Sequence, residues 1–456
     1  MKNKNKVVEA GKKASQIFIL PINKNWLIYA PLINVTAFVN NEAVSTIKDF
    51  ILNGKKSKIT DNSLSQLIQQ LKETNKIIPG KIKGQLSPEI PCNIFSQEFK
   101  KSRQFCNFNI VTKSKKQMNY EALADSIDWY ACNIKSLKKD ALNVHFYANN
   151  LISFPEIFEV ALHRIKYMAS IENLRTNFEI SIGSQIEEKW LDFIGDYFKK
   201  VFLSIDIKDL NQIISSDKSL TKTLESAKAL ANSNAQLFLK IRNTEANEMK
   251  QIASWMCENI NPDAICFEYN TQHSVSKNSK LSKSDEFSKN FLESRKIIES
   301  YGIKTLYSED IKEYPVLTCC PDGQDTLIVY PYGCFYGYHL ISKSGIKKAS
   351  NLNIGQTKKI NKNEIINLGK EAIINFRCET CFCRWSCAGG CYVEDEHPVF
   401  SNNYNNHCIQ TRIISACSLL TNLELGSEID MLMAYEHSLN ALKMQHSDLL
   451  ENFETR

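Results

Sequence analysis

The spacing of apolar positions changes character twice along this chain, and the changes divide it. Near the start, the short apolar runs Gln16–Leu20, Trp26–Ala30 and Val35–Val39 are punctuated by Pro21 and Pro31 and read as strands. Two stretches at helical spacing follow, Glu42–Leu52 and Ser63–Thr74, and the second repeats Leu64, Leu67, Ile68 and Leu71 on one face. Strands followed by helices over residues 16–85 suit a small winged-helix-like module. The stretch after it, with Pro88 and Pro91, reads as a linker, so the first unit spans residues 1–95.

From about Ile110 to Tyr307 strands and helices alternate. Candidate strands are Asn109–Thr112, Leu142–Tyr147, Phe178–Ile182, Val201–Ile205, Leu237–Ile241, Ala264–Tyr269 and Ile303–Leu306. Between them, Tyr120–Cys132 carries Leu123, Ile127 and Tyr130 on one face, and Pro155–Met168 carries Ile157, Val160, Ala161 and Ile165. Such alternation means a parallel sheet with right-handed crossovers. About six units are too few to close an eightfold barrel, so the expectation is an α/β fold with an incomplete (β/α)6 barrel over residues 105–310. The polar stretch Ser274–Ser284 reads as a surface loop. Residues 314–420 form a cysteine-rich module. Residues 421–456 are a C-terminal segment in which Ser427–Glu451 is an amphipathic helix bearing Ile429, Leu432, Met433 and Leu439.

Composition narrows the class. The 456 residues are 43% hydrophobic and 23% charged, ordinary for a globular chain with a large core. A net charge of +6 is spread over 56 basic and 50 acidic residues, and runs such as Lys113–Lys116 read as solvated loops, so no nucleic-acid partner is expected. Lys12 and Lys13 interrupt the only N-terminal stretch that could resemble a signal peptide, and no run of 18 apolar residues exists to span a membrane. A cytoplasmic location is expected. In that compartment a cysteine cluster reads as a metal site before a disulfide framework.

That cluster is Cys378, Cys381, Cys383, Cys387 and Cys391, followed by Cys408; these are six of the 15 cysteines. Four thiolates bind either a 4Fe-4S cluster or a tetrahedral zinc. Zinc modules usually pair two CxxC knuckles. Here a single CxxC pair is followed by gaps of five, three and sixteen residues, with Gly389 and Gly390 permitting a tight turn, and this spacing favours iron–sulfur over zinc. Single candidates carry blander readings. Cys106 and Cys132 read as core residues, His145 as a side chain packed in or near the barrel, and Glu394–Glu396 as a solvated acidic turn. His339 and His407 lie nearer the cysteines, and His407 adjoins Cys408.

The run Cys378-x-x-Cys381…Trp385-x-Cys387-Ala-Gly-Gly-Cys391 with the later Cys408-x-x-x-Arg412 resembles the SPASM domain, the C-terminal extension of peptide-modifying radical SAM enzymes, in every spacing. The resemblance implies one 4Fe-4S cluster on Cys378, Cys381, Cys387 and Cys408. It implies a second on Cys391 and Cys320 with partners from Cys319 or Cys334, because the family's final upstream cysteine falls here on Tyr338. Cys383 has no family role and reads as a spare buried thiol. The alternating region resembles the radical SAM partial barrel, with one deletion: the family's CxxxCxxC loop is missing. Phe108–Thr112 is followed by Lys113-Ser-Lys-Lys-Gln and then Met118-Asn-Tyr-Glu121, and the usual glycine-rich end of the second strand is Ala148-Asn149-Asn150. The fourth strand, Val201–Asp206, keeps the family character.

Three thiolates and one open iron are needed to cleave SAM reductively, so the resemblance implies a degenerate radical SAM protein for which SAM is not a cofactor. Residues 16–85 resemble the leader-recognition module of such maturases, which would capture peptide by strand addition. The expected role is an accessory, scaffold or electron-relay component in the maturation of a ribosomally made peptide, with a precursor peptide or an active radical SAM maturase as partner. Two alternatives stand beside it: an enzyme using an open iron on a remaining auxiliary cluster, and a zinc-stabilised interaction protein.

Overall fold

The computed structural model describes residues 17–53, 61–77, 107–111, 120–136, 138–148, 156–184, 186–206, 210, 221–244, 246–269, 280–307, 326–329, 334–336, 353–356, 381–387, 402–423 and 425. The expected terminal helix over Ser427–Glu451 and the linker around Pro88 lie outside these residues.

The first sheet is antiparallel. Strand β1 (Phe18–Ile22) pairs with β2 (Asn25–Ala30), and β2 pairs with β3 (Val35–Val39). Alternation gives the sheet two apolar faces. Phe18, Leu20, Ile22, Leu27 and Tyr29 join the main core, while Ile17, Ile28 and Ala30 pack with Val44, Ile47, Ile68 and Leu71. Those last four come from helices α1 (Asn41–Asn53) and α2 (Asn62–Ile77). Both helices begin at a side-chain cap: Asn40 accepts from the amide of Ala43 at 2.9 Å, and Asp61 accepts from those of Ser63 and Leu64 at 2.7 and 3.2 Å.

The second sheet holds the rest of the strands. β4 (Asn107–Val111), β5 (Ala141–Tyr147), β6 (Arg175–Gly183), β7 (Lys200–Asp206), β8 (Gln236–Thr244), β9 (Ala264–Tyr269) and β10 (Lys304–Leu306) pair in parallel and in chain order. β11 (Thr326–Val329), from the cysteine-rich segment, adds in parallel to the free side of β4, and β12 (Cys334–Tyr336) and β13 (Asn353–Gln356) extend it antiparallel.

The connecting helices are α3 (Tyr120–Ser136), α4 (Glu156–Glu172), α5 (Leu191–Tyr197), α6 (Thr221–Ala231), α7 (Met249–Asn259) and α8 (Lys280–Ser300). Helix α8 starts inside the expected Ser274–Ser284 loop. Its sequence before Phe287 carries one apolar residue, Leu281, and its packing residues Phe287, Phe291, Leu292 and Ile298 come later.

Period two governs each parallel strand. On β5 Leu142, Val144 and Phe146 are buried while Ala141, Asn143, His145 and Tyr147 are half-buried; β6 and β7 repeat the pattern. Phe146 lies at the centre of an aromatic cluster, 5.0 Å from Phe158, 5.7 Å from Phe198 and 6.4 Å from Phe178. Arg164 of α4 grips Asp128 of α3 with both ends of its guanidinium and fixes the two crossover helices to each other.

The cysteine segment contributes the short helix α9 (Arg384–Cys387) and the long helix α10 (Asn402–Thr421). From Ile409 to Leu420 every residue of α10 is buried. Arg295 of α8 donates to Ser418 at 3.0 Å and to Thr421 at 3.5 Å, and Tyr307 meets Thr411 at 3.1 Å, so polar contacts hold the stretch that has no solvent face of its own. Among the described residues no helix is long and apolar enough to cross a membrane.

Phe146→Ala is expected to lower the unfolding free energy by about 3–5 kcal/mol, the range for deleting a fully packed ring. Ile171→Ala, on the outer face of α4 and 56% exposed, is expected to change it by less than about 0.5 kcal/mol. Urea unfolding of the two variants checks both.

Candidate functional site

The cysteine turn is built by a single helical turn over buried thiols. The carbonyl of Cys383 accepts from the amides of Ser386 at 3.0 Å and Cys387 at 2.8 Å and from the Ser386 hydroxyl at 3.1 Å, which closes α9. Cys381, Cys383 and Cys387 are all buried and belong to the main core together with α10. The Cys381 thiol lies against that of Cys383, with Cys387 close by. Burial first, then the Cys381 thiol, push the Cys383 thiol well above its ordinary range. Cys383, expected to be a spare, is thus the most enclosed of the three, at 1% exposed.

Two other elements face this turn. Ser415 of α10 lies against Cys383, where its hydroxyl opposes the upward push on the thiol, and Gln410 Nε2 on the same helix is a buried polar atom with no partner. Tyr29 of β2 adjoins the turn from the N-terminal sheet, its phenol raised by burial and then by Cys383. Cys408 sits half-buried on α10, its carbonyl accepting from Arg412 Nε at 2.9 Å. Cys334 lies on β12, while Cys378, Cys391, Cys319 and Cys320 fall outside the described residues. Among the described residues no three Cys, His, Asp or Glu side chains converge where they could hold a metal ion. Of the expected ligands, Cys381 and Cys387 are buried and Cys408 is half-buried, soft donors of the kind that a thiolate-bound group takes.

The parallel sheet brings together a second group of residues that sequence spacing did not point to. His145 on β5 is directly opposite Glu179 on β6, which is directly opposite Lys200 on β7. Glu179 uses its two oxygens separately, one 3.4 Å from His145 Nδ1 and the other 3.0 Å from Lys200 Nζ. The other ring nitrogen of His145, Nε2, lies 2.7 Å from Ser181 Oγ. Tyr147 stacks on the imidazole at 4.3 Å and Phe202 at 5.4 Å, and Phe238 continues the aromatic surface 4.9 Å beyond Phe202. One layer toward the strand starts, Asn177 donates to Asn143 at 2.8 Å. His145 is therefore placed in the sheet as a bonded, 16% exposed member of a network. Glu179, Ser181 and Lys200 lie 34 to 55 positions from His145 in sequence, so only strand register brings them to it; alternating polar residues on β5 to β7 were the available signal. Cys132, expected in the core, is exposed on α3, because its neighbours Ala131 and Ile134 take the inward positions. Cys106 lies outside the described residues.

No family model and no curated protein matches the chain. Among solved structures it is similar to anSMEcpe with bound AdoMet, at 15% identity and a TM-score of 0.51, over 69% of this chain and 98% of that one. It is likewise similar to anSMEcpe with bound AdoMet and Cp18Cys peptide, at 15% identity and a TM-score of 0.51, over 71% of this chain and 98% of the other. That neighbour is an anaerobic sulfatase-maturating radical SAM enzyme. At this identity the likeness concerns the fold: the parallel sheet with its crossover helices is radical SAM-like.

The His145 imidazole, with Lys200 behind it, holds the Glu179 carboxyl at about 2 against the opposing effect of burial, down from an ordinary 4.5. A depressed carboxyl stabilises the fold fully above its unfolded value and ceases to as the pH falls through its folded one. Glu179→Gln is therefore expected to cost stability at neutral pH and to flatten the loss between pH 4.5 and about 2. Urea midpoints across that range read the difference, and parallel curves for the two proteins would contradict it.

Proposed function

We propose that this chain is a radical SAM-like protein that does not cleave SAM and serves as an accessory, scaffold or electron-relay component in the maturation of a ribosomally synthesised peptide. One observation carries the reading. The connection from β4 to α3, Thr112–Asn119, contains no cysteine. In the radical SAM-like fold this first strand-to-helix connection is where the thiolates for a SAM-cleaving cluster belong. Without three of them no iron can be held with an open position there.

The SPASM-like run supports the rest. Cys378, Cys381, Cys387 and Cys408 would hold one 4Fe-4S cluster, and Cys391 with Cys320 and either Cys319 or Cys334 would contribute to a second. Such a group supplies a rigid node between turn and helix and a one-electron couple. The chain's own part is to keep the thiols buried: α10 and the β2 residue Tyr29 exclude water from Cys381 and Cys383. The N-terminal sheet with α1 and α2 is read as the module that takes a precursor peptide, through strand addition at an edge. The solved neighbour with AdoMet and a peptide favours a maturation setting for this fold.

Anaerobic purification followed by iron analysis tests the cofactor, with about four irons per chain expected from one loaded site. Incubation with AdoMet and dithionite tests the chemistry, with no 5′-deoxyadenosine expected; its formation would overturn the reading. Cys381→Ala is expected to lose iron and solubility together.

A further inference from the structure

The polar face of the parallel sheet carries a chemistry that the cysteine turn does not use. We propose that Ser181, His145 and Glu179 form a serine acyl-transfer centre acting on esters or amides of apolar or aromatic acyl groups. The proposal requires neither SAM nor iron, so it stands or falls separately from the reading above.

The geometry assigns each role. An ionised carboxylate only accepts, so Glu179 facing Nδ1 at 3.4 Å places the ring proton on that nitrogen. Nε2 is then the acceptor, and the hydroxyl of Ser181, 2.7 Å away, donates to it. A serine hydroxyl is a weak nucleophile until a base takes its proton, and a base works best when a third group fixes its tautomer. All three relations are present, on three residues of two adjacent strands. Lys200 occupies the other oxygen of Glu179, which pins the carboxylate facing the ring. Stacking between Tyr147 and Phe202 fixes the ring plane.

The neighbouring layer argues against mere filling of a polar face. Asn177 donates to Asn143 there, a neutral amide pair whose side chains do not titrate. The layer at His145 instead combines an imidazole, a carboxylate and an ammonium, with the Ser181 hydroxyl one layer on. Tyr147, Phe202 and Phe238 supply the flat apolar surface beside the hydroxyl, and this sets the acyl class.

In the step itself Ser181 Oγ bonds to the carbonyl carbon while its proton passes to His145 Nε2. That proton then leaves with the amine or alcohol as its bond to carbon breaks. Water repeats the sequence in reverse and frees the serine. Ser181 and His145 touch the reacting atoms. Glu179 is a positioning residue that acts through His145.

The test uses the full chain and an aryl fluorophosphonate probe, read by intact mass and peptide mapping. One adduct per chain on Ser181 is expected, and none in Ser181→Ala of unchanged circular dichroism. His145→Gln is expected to slow labelling at least about 100-fold, the lower range for a positioned base. The charged groups facing His145 are Glu179 on β6 and Lys200 on β7; its register neighbour on β4 is the neutral Asn109. Glu179→Gln leaves the ring tautomer unfixed, so labelling is expected to slow with circular dichroism unchanged and to recover in part in Glu179→Asp, which a structural role alone would not produce. Absence of an adduct on Ser181 in the folded wild-type chain overturns the proposal, as does labelling unaffected by His145→Gln. Should that variant not fold, labelling of wild-type Ser181 at the same rate after unfolding in urea overturns it equally.

Discussion

Parallel pairing in unbroken chain order, from β4 to β10, is the constraint from which the rest of the structure follows. A right-handed crossover between neighbouring strands puts its helix on one particular face, and successive crossovers in the same direction put every helix on that same face. The strands must then be apolar at every second position and are free at the others. A slip of one residue would carry Leu142, Val144 and Phe146 out of the core and His145 into it. The same register sets the chemistry of the opposite face. Asn143, His145 and Tyr147 are offered there because Leu142, Val144 and Phe146 are needed elsewhere.

Helix α10 extends that core toward the cysteine turn. It is buried from Ile409 to Leu420, joined to α8 through Arg295, and faces Cys383 through Ser415. Tyr29 reaches the same turn from β2. The N-terminal sheet, the crossover layer and the thiols therefore share one apolar interior. A change at the turn, whether loss of a thiol or capture of a charged group, is felt by elements hundreds of residues away in sequence because those elements form its walls.

Periodicity revealed the strands and the amphipathic helices well. β1 to β10 lie within a few residues of their expected places, since half-buried strands and one-sided helices both leave a repeating signature. Helix α10 left none. Its stretch Ile409–Leu420, buried on all sides, has no polar face to set a period, and Ser415, Ser418 and Thr411 among its apolar residues obscure it further. The start of α8 was hidden for the opposite reason, with Leu281 the one apolar residue before Phe287. Cys132 shows how little one residue type decides, because helix phase alone turned it outward. The cysteine spacing was plain in the sequence, and Cys381, Cys383 and Cys387 are buried together. The contact between Cys383 and Tyr29 could not be anticipated, since it joins the two ends of the chain. Nor could the meeting of His145, Glu179 and Ser181, which exists only through the alignment of β5 with β6.

The small N-terminal sheet is filled on both sides: one face is committed to the main core and the other to α1 and α2. Its order places β2 in the centre, leaving β1 and β3 as the outer strands of the described sheet. Such a sheet can grow only sideways. A guest chain would make its backbone hydrogen bonds along one margin while its side chains alternated between two compartments whose depth is already fixed. The sheet would then act as a ruler, admitting partners by the bulk of every second residue before any charge or sequence could be read.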